Sequence, residues 1–144
     1  MSRLPEQKVW DAMRNAIGHS VRLERIENRV GTGRPDVDAL YAGRFTPIEL
    51  KAVPAGWPVR ESTPVLPAGK GMRVAQLNWH LDWRRWGGRS LIVVGVNKGR
   101  AREVFVFDGA IADDLNALPQ QGFFVRSAAV GWDGLKKLLT TNWG

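Results

Sequence analysis

Apolar residues along the chain follow first a helical period and then a strand period. From Val9, the apolar side chains of Met13 and Ile17 recur at every fourth position, as on one face of an amphipathic helix. From residue 20 onward, apolar and charged residues alternate as in half-buried strands. The whole pattern predicts these elements in chain order: a helix at 5–17, strands at 20–27, 36–41 and 45–53, a helix at 72–86, strands at 90–96 and 103–107, a short helix at 110–118, a short strand at 123–126 and a last helix at 132–140.

This order of elements predicts an α/β domain built around a mixed sheet with flanking helices. A chain of 144 residues is long enough for one such domain with its own core, so residues 1–144 are expected to form a single domain. The stretch 54–71 contains four prolines and three glycines and lacks any period, which predicts a long, mobile loop. Loops of this length inside a compact domain usually have a function.

The charge of the chain narrows the class of partner. Lys and Arg together number 21 against 14 Asp and Glu, a formal net charge of +7, so the expected partner is a polyanion, either nucleic acid or an anionic membrane. A membrane is the weaker choice because no apolar run is long enough to span one and the N-terminus lacks a signal-peptide pattern. We therefore expect a cytoplasmic protein.

The residue types that are missing restrict the chemistry. The chain has no cysteine, which excludes disulfides, thiolate nucleophiles and cysteine-bound zinc. His19 and His80 lie far apart in no metal-binding pattern, so a histidine-based metal site is not expected. A bound metal would be a hard cation held by carboxylates.

One strand carries a pattern that suits catalysis. Side chains alternate faces along a strand, so Glu49 and Lys51 point to one side and Ile48 and Leu50 to the other. A hairpin with the preceding strand would bring Asp36 beside Glu49 and Lys51. Two neighbouring carboxylates repel each other unless a divalent cation lies between them, and a nearby ammonium group can hold an attacking water.

These residues resemble the motif of the PD-(D/E)xK nuclease superfamily. The motif here is Pro35-Asp36 followed, after 12 intervening residues, by Glu49-x-Lys51, behind an N-terminal helix. Two further acidic or amide positions match members of the superfamily, namely Glu6 in the first helix and Gln76 at the start of the next helix. The resemblance extends over residues 5–96. Within the superfamily, this stretch is most similar to the VRR-NUC-like and Holliday-junction-resolvase-like branches, including compact phage-encoded members.

The resemblance implies a restriction-endonuclease-like core and a site for Mg²⁺, with Mn²⁺ as a substitute. Asp36 and Glu49 would bind the metal, the backbone carbonyl of Leu50 would complete the coordination, and Glu6 would bind directly or through water. Asp38 is an alternative ligand, because it lies two residues after Asp36 and faces the same side.

The same resemblance implies the remaining roles and the activity. Lys51 would position the water and stabilise the charge that develops on the phosphoryl group, and Gln76 would orient Lys51 or a phosphate. The implied activity is metal-dependent hydrolysis of phosphodiester bonds in DNA. The implied substrates are branched, flapped or junction DNA, and a homodimer would suit such substrates. The main rival is a module on a nuclease-like fold that binds nucleic acid without cutting it; the second rival is a partner-binding protein with exposed tryptophans.

Each candidate residue also has a structural interpretation. Glu49 and Lys51 would be a solvated ion pair, Glu6 an acid favoured by the helix dipole, and Gln76 an exposed helical residue. Three tryptophans lie on roughly the same helix face as Gln76 and are expected to pack in the core rather than to stack on bases: Trp79, Trp83 and Trp86. His80 is expected on the helix surface.

Basic residues near the proposed site are candidates for phosphate contact. Arg84 and Arg85, with Arg89, would alternatively cap the dipole at the C-terminal end of their helix. The candidates for nucleic-acid binding are Arg34, Lys70, Arg73, Arg84 and Arg85, with Arg29 and Arg60 also near the site or in the loop.

Overall fold

The computed structural model describes residues 3–26, 32–66 and 69–141. Its elements are α1 (Arg3–Ile17), β1 (Arg22–Arg25), β2 (Val37–Tyr41), β3 (Arg44–Val53), α2 (Val74–Arg85), β4 (Leu91–Lys98), β5 (Ala101–Asp108), α3 (Ala112–Leu115), α4 (Gln120–Arg126), β6 (Ala129–Val130) and α5 (Gly131–Thr140). The first helix, the first five strands and the helices at 72–86 and 132–140 are confirmed, with ends that shift by a few residues.

The six strands form one sheet whose spatial order is the same as their order in the chain. Neighbouring strands are antiparallel except for β3 and β4, which are parallel. A parallel pair needs a crossover connection, and this one consists of the segment after Val53 and helix α2. The predicted mixed sheet with flanking helices is therefore confirmed.

The sheet is covered on both faces. On one face, Ile48 and Leu50 of β3 pack with α1 and α5, which present Val9, Met13 and Leu135. On the other face, side chains from β3, β4 and β5 pack with α3, α4 and part of the crossover segment. Since β3 is buried on both sides, its successive side chains point alternately into the two cores. Its even-numbered residues face α1 and α5, and its odd-numbered residues face the side of α2.

The C-terminal third differs from the sequence prediction. The strand predicted at 123–126 is wrong: these residues belong to α4, and the short strand follows at Ala129–Val130. In a helix only one face is covered by the core, and here Phe123 is fully buried while Phe124 and Val125 are exposed. The predicted helix at 110–118 is shorter than expected, consisting of a 3₁₀ turn at Gly109–Ile111 and the single turn of α3.

Residues 54–66 and 69–71 contain no helix or strand, as predicted for the loop. Part of this segment is packed, because Val65 and Leu66 are buried and the Val65 N–H donates to the Leu118 carbonyl at 3.0 Å. Trp57 contacts the rings of Phe105 and Phe123. The segment is thus packed on the second core at Trp57 and at Val65 and Leu66, and its mobility stays a prediction. Within the described ranges, no helix is both long and apolar enough to cross a membrane.

Candidate active site

Asp36 and Glu49 lie opposite each other across a hairpin. In the pairing of β2 with β3, Val37 is opposite Ile48, so the next pair along the two chains is Asp36 and Glu49. The Leu50 N–H donates to the Asp36 carboxylate at 2.9 Å, which fixes the side chain over β3. The predicted approach of Asp36 to Glu49 and Lys51 is therefore what the fold produces.

Gln76 links Lys51 to Glu49 in one hydrogen-bonded chain. The Lys51 Nζ donates to Gln76 Oε1 at 2.9 Å, and Gln76 Nε2 donates to Glu49 Oε2 at 3.0 Å. The Lys51 Nζ and Glu49 Oε2 are 3.7 Å apart. All three residues are at most 5% exposed. The interpretations of Glu49 and Lys51 as a solvated ion pair and of Gln76 as an exposed polar residue are wrong.

The position of Gln76 is set by the backbone around it. The Arg73 N–H donates to Gln76 Oε1 at 3.0 Å, which fastens the side chain to the start of α2. Gly33 packs on the same turn with φ +70°, and a Cβ there would lie 2.1 Å from the Ala75 carbonyl oxygen. Glycine is the residue that tolerates both this φ and this close approach. The loop that leads into Asp36 is thereby held against the helix that carries Gln76.

The electrostatics of the site disfavour a charged Glu49. Burial raises the pKa of Glu49 well above its ordinary value, the charge of Asp36 raises it further, and Lys51 opposes both. Its Oε1 atom is buried and has no hydrogen-bond partner in the part of the chain that the structure describes. A buried oxygen without a donor is costly when it is charged, so burial favours the protonated form of Glu49.

Glu6 belongs to the same electrostatic group. It lies in the first turn of α1, and burial raises its pKa, with Lys51 lowering it and Asp36 raising it. These influences mean that Glu6 is near both residues. The structure gives no direct contact between Glu6 and Asp36 or Glu49, so a role as a metal ligand stays a prediction.

The donor set fits a small hard cation that retains water ligands. Two adjacent carboxylates, one with an oxygen that lacks a donor, are oxygen ligands of the kind Mg²⁺ takes. Within the described ranges, no three Asp, Glu or His side chains converge closely enough to form a complete metal site. Mg²⁺ commonly keeps several waters and binds through one or two carboxylates, which matches Asp36 and Glu49.

Asp38 has a different partner. Its two carboxylate oxygens lie 3.0 and 2.9 Å from the Arg34 Nη2, and both side chains are partly buried. This ion pair uses the oxygens that a metal would need and the guanidinium that a phosphate would need. It is the main reason to prefer Asp36 over Asp38 as a ligand.

The other basic candidates surround the ends of α2. Arg73 and Lys70 are exposed near its first turn, and Arg73 is close enough to lower the pKa of Glu6. At the far end, the Arg84 Nε lies 3.6 Å from Asp108, and the Arg85 Nη2 lies 3.3 Å from Asp82 on an exposed surface. Arg29 lies outside the described residues. Phosphate contact by any of them stays a prediction.

The prediction of which α2 side chains are buried is partly wrong. His80 is fully buried rather than on the surface, and Trp86, expected in the core, is 78% exposed. Trp79 and Trp83 are partly buried and stack on each other. The turn of helix between Gln76 and His80 puts both side chains on one face, and the sequence offered only this four-residue spacing as a signal for it.

His80 is a fully buried histidine on the same face of α2 as Gln76. Its Nδ1 lies 2.7 Å from the Ser90 Oγ, and its Nε2 has no partner in the described part of the chain. Burial and, to a smaller extent, Lys51 lower its pKa to about 4, while Asp108 acts in the opposite direction. The sequence pattern did not predict that His80 is buried and joins α2 to Ser90 by a hydrogen bond.

Together, the sheet, the hairpin and the crossover helix define a restriction-endonuclease-like fold. Among solved structures, the chain is similar to Hjc of Archaeoglobus fulgidus, a Holliday junction resolvase from an archaeal hyperthermophile. The two share 12% sequence identity with a TM-score of 0.52, over 85% of this chain and 91% of that chain. At this identity the likeness establishes the fold alone. No protein-family model matches the sequence, and no curated protein matches it.

Proposed function

We propose that this chain is a Mg²⁺-dependent deoxyribonuclease of the PD-(D/E)xK type that hydrolyses phosphodiester bonds in branched, flapped or junction DNA. The observation that carries the proposal is the buried chain from Lys51 through Gln76 to Glu49, with Asp36 beside it. A purely structural ion pair would not need a second carboxylate next to a carboxylate whose oxygen has no donor.

Asp36 and Glu49 would hold Mg²⁺, with Mn²⁺ as a substitute. When bound, the metal supplies Lewis-acid activation of water and relieves the repulsion between an anionic nucleophile and the phosphodiester. The Leu50 N–H keeps Asp36 turned toward Glu49. Glu6 would add charge or hold an outer water, and the Leu50 carbonyl would complete the coordination.

Lys51 would position the attacking water or bind a phosphoryl oxygen. An ammonium group has three N–H donors, and one of them is used by Gln76 Oε1. Gln76 therefore fixes the direction of Nζ and leaves donors for the water and the phosphate. Glu49 Oε2 lies 3.7 Å from the same nitrogen.

Preference for a DNA structure over a sequence is supported by the solved structure that this fold resembles. The structural neighbour is a Holliday junction resolvase by its printed description, which makes four-way junctions the first substrate to test. Two opposed cuts need two sites, so a junction-cutting form would be a homodimer. The VRR-NUC-like and phage-type branch stays part of the proposal.

The test is a cleavage panel over linear duplex, single-stranded, flapped and four-way DNA, with Mg²⁺, Mn²⁺ or EDTA. We expect metal-dependent cleavage of at least one branched substrate. Lys51→Met and Glu49→Gln should reduce the rate by at least about 100-fold, the usual scale for loss of one group that stabilises transition-state charge. Lys98→Met, at an exposed position at the end of β4, is the matched control and should cut normally.

Two outcomes would contradict the proposal. Full activity of both site variants would remove Glu49 and Lys51 from the chemistry. Tight binding of branched DNA without hydrolysis in any divalent metal would favour the rival, a nucleic-acid-binding module on a nuclease fold. Measurement of molecular mass in solution would show whether the active species is a dimer.

A further inference from the structure

The face of the hairpin that carries the candidate site continues into an apolar surface. Cross-strand partners point to the same side of a sheet, and Leu40 is paired with Phe45 four pairs beyond Asp36 and Glu49, on the same face. Leu40 is 42% exposed and Phe45 is 40% exposed. Phe45 lies four positions before Glu49 along β3, a distance of about 13 Å.

Helix α2 adds tryptophans to this surface. The Phe45 and Trp83 rings meet edge to face with centroids 6.1 Å apart, and Trp83 stacks on Trp79 at 4.9 Å and 18°. Trp86 is the residue directly after α2 and follows Trp83 by three positions, a spacing that puts both on one side of the helix end. The aromatic surface, defined here as Phe45, Trp79, Trp83 and Trp86, therefore runs from near Gln76 to the C-terminal end of α2.

Arginines border this surface. The Arg85 guanidinium lies 5.8 Å from the centre of the Trp86 ring. Arg84 is in the same last turn of α2. In a chain of net charge +7, aromatic rings bordered by arginine match a polyanion whose bases are open to stacking.

We propose that the aromatic surface binds unpaired bases next to the phosphate that is cut. This inference rests on the proposed function and adds a substrate feature to it. A strand of DNA whose phosphate lies at Asp36, Glu49 and Lys51 has the Phe45 end of this surface about 13 Å away along the same sheet face. Bases in a duplex are stacked on their neighbours, whereas bases in a flap, gap or opened junction are free to stack on Trp86 and its neighbours. The surface therefore selects DNA with a single-stranded stretch beside the cut.

The test is DNA binding in EDTA, so that cleavage plays no part in the readout. Fluorescence anisotropy compares a duplex that carries a single-stranded extension with a blunt duplex of the same length. Trp86→Ala should weaken binding of the extended duplex by about 5- to 150-fold, the range for loss of stacking with one base. Binding of the blunt duplex should change less than about twofold.

Two controls separate stacking from other effects. Trp86→Phe keeps an aromatic ring and should restore most of the affinity for the extended duplex. Phe124→Ala removes another aromatic ring that is 52% exposed but lies on α4, and it should bind both DNAs like the wild type. Thermal unfolding of Trp86→Ala should match the wild type, because the side chain is mostly exposed.

Equal affinities of Trp86→Ala and wild type for the extended duplex would overturn the inference while leaving the proposed nuclease intact. An equal loss on both DNAs, or a change from dimer to monomer in solution mass, would also overturn it, the latter by assigning the surface to a second copy of the chain. Failure of the proposed function is separate: it would appear as no cleavage in the metal panel, with the selective binding loss unaffected.

Discussion

Replacing Glu49 with Gln should make the metal-free protein more stable and abolish its activity. Glu49 is 1% exposed, and its Oε1 is buried without a donor in the described part of the chain. A buried polar group without a partner costs about 1–3 kcal/mol, and more when it is charged. An amide at this position can still accept from Gln76 through its oxygen, and its NH₂ can donate toward Asp36, so the substitution removes the charge without creating a new unsatisfied group.

The expected gain is therefore about 1–3 kcal/mol in the free energy of unfolding. For a chain of this size, each kcal/mol raises the melting temperature by about 2–4 °C. The loss of attraction to Lys51 acts in the opposite direction but does not dominate, because the pKa of Glu49 is raised even with Lys51 present.

The effect also has a pH dependence with a defined sign. Because the pKa of Glu49 is raised in the folded state, that state binds its proton more tightly than the unfolded chain. The stability from this group is complete below the unfolded pKa and is lost as pH rises through the raised value. The stability difference between Glu49→Gln and wild type should therefore be small near about pH 4 and largest well above it.

Thermal unfolding followed by circular dichroism in EDTA at several pH values measures this directly. Glu24→Gln is the matched control, since Glu24 is exposed and paired with Arg22 at 3.0 Å, and surface changes stay within about 0.5 kcal/mol. Mg²⁺ should raise the melting temperature of wild type, because it binds only the folded state, and should have little effect on Glu49→Gln. A variant that melts at or below wild type in EDTA, at the pH where Glu49 is ionised, would refute the reasoning.

Three further predictions concern neighbouring residues. His80→Gln should lose less stability than wild type as pH falls from about 6.5 to 4, because the lowered pKa of His80, about 4, makes the folded state resist protonation in that range. Urea unfolding at several pH values measures this, and the control His19→Gln, at an exposed position, should retain the acid sensitivity of wild type. Identical curves for all three proteins would contradict the prediction. Gly33→Ala should destabilise by at least about 1–2 kcal/mol from its left-handed φ alone and should lower cleavage kcat more than KM; unchanged melting and cleavage would mean that the loop and α2 are not held together here. Asp36→Asn should remove the rise in melting temperature on adding Mg²⁺ while Asp38→Asn retains it, and the reverse result in differential scanning calorimetry would make Asp38 the ligand.

The part of the candidate site that the sequence alone determines is local. A strand alternates its side chains with a period of two, so Glu49 and Lys51 had to share a face wherever β3 lies in the sheet. Only two residues, Ala42 and Gly43, connect β2 and β3, and a connection this short joins two strands as an antiparallel hairpin. The register of that hairpin places Asp36 opposite Glu49. Hydrophobic periods also gave the central strands and the long helices.

Only the tertiary structure decided which residues surround that local pattern. Gln76 lies 25 positions after Lys51, beyond a segment without any period, so no local rule fixes where α2 lies against β3. That placement buries Gln76 and His80 and leaves Trp86 exposed, although all the aromatic side chains have a stronger tendency to be buried than Gln. Asp38 likewise matched Asp36 in sequence pattern, and its pairing with Arg34 distinguishes the two. Spacing along a chain fixes the direction of side chains within one element, whereas burial and pairing depend on which other elements cover it.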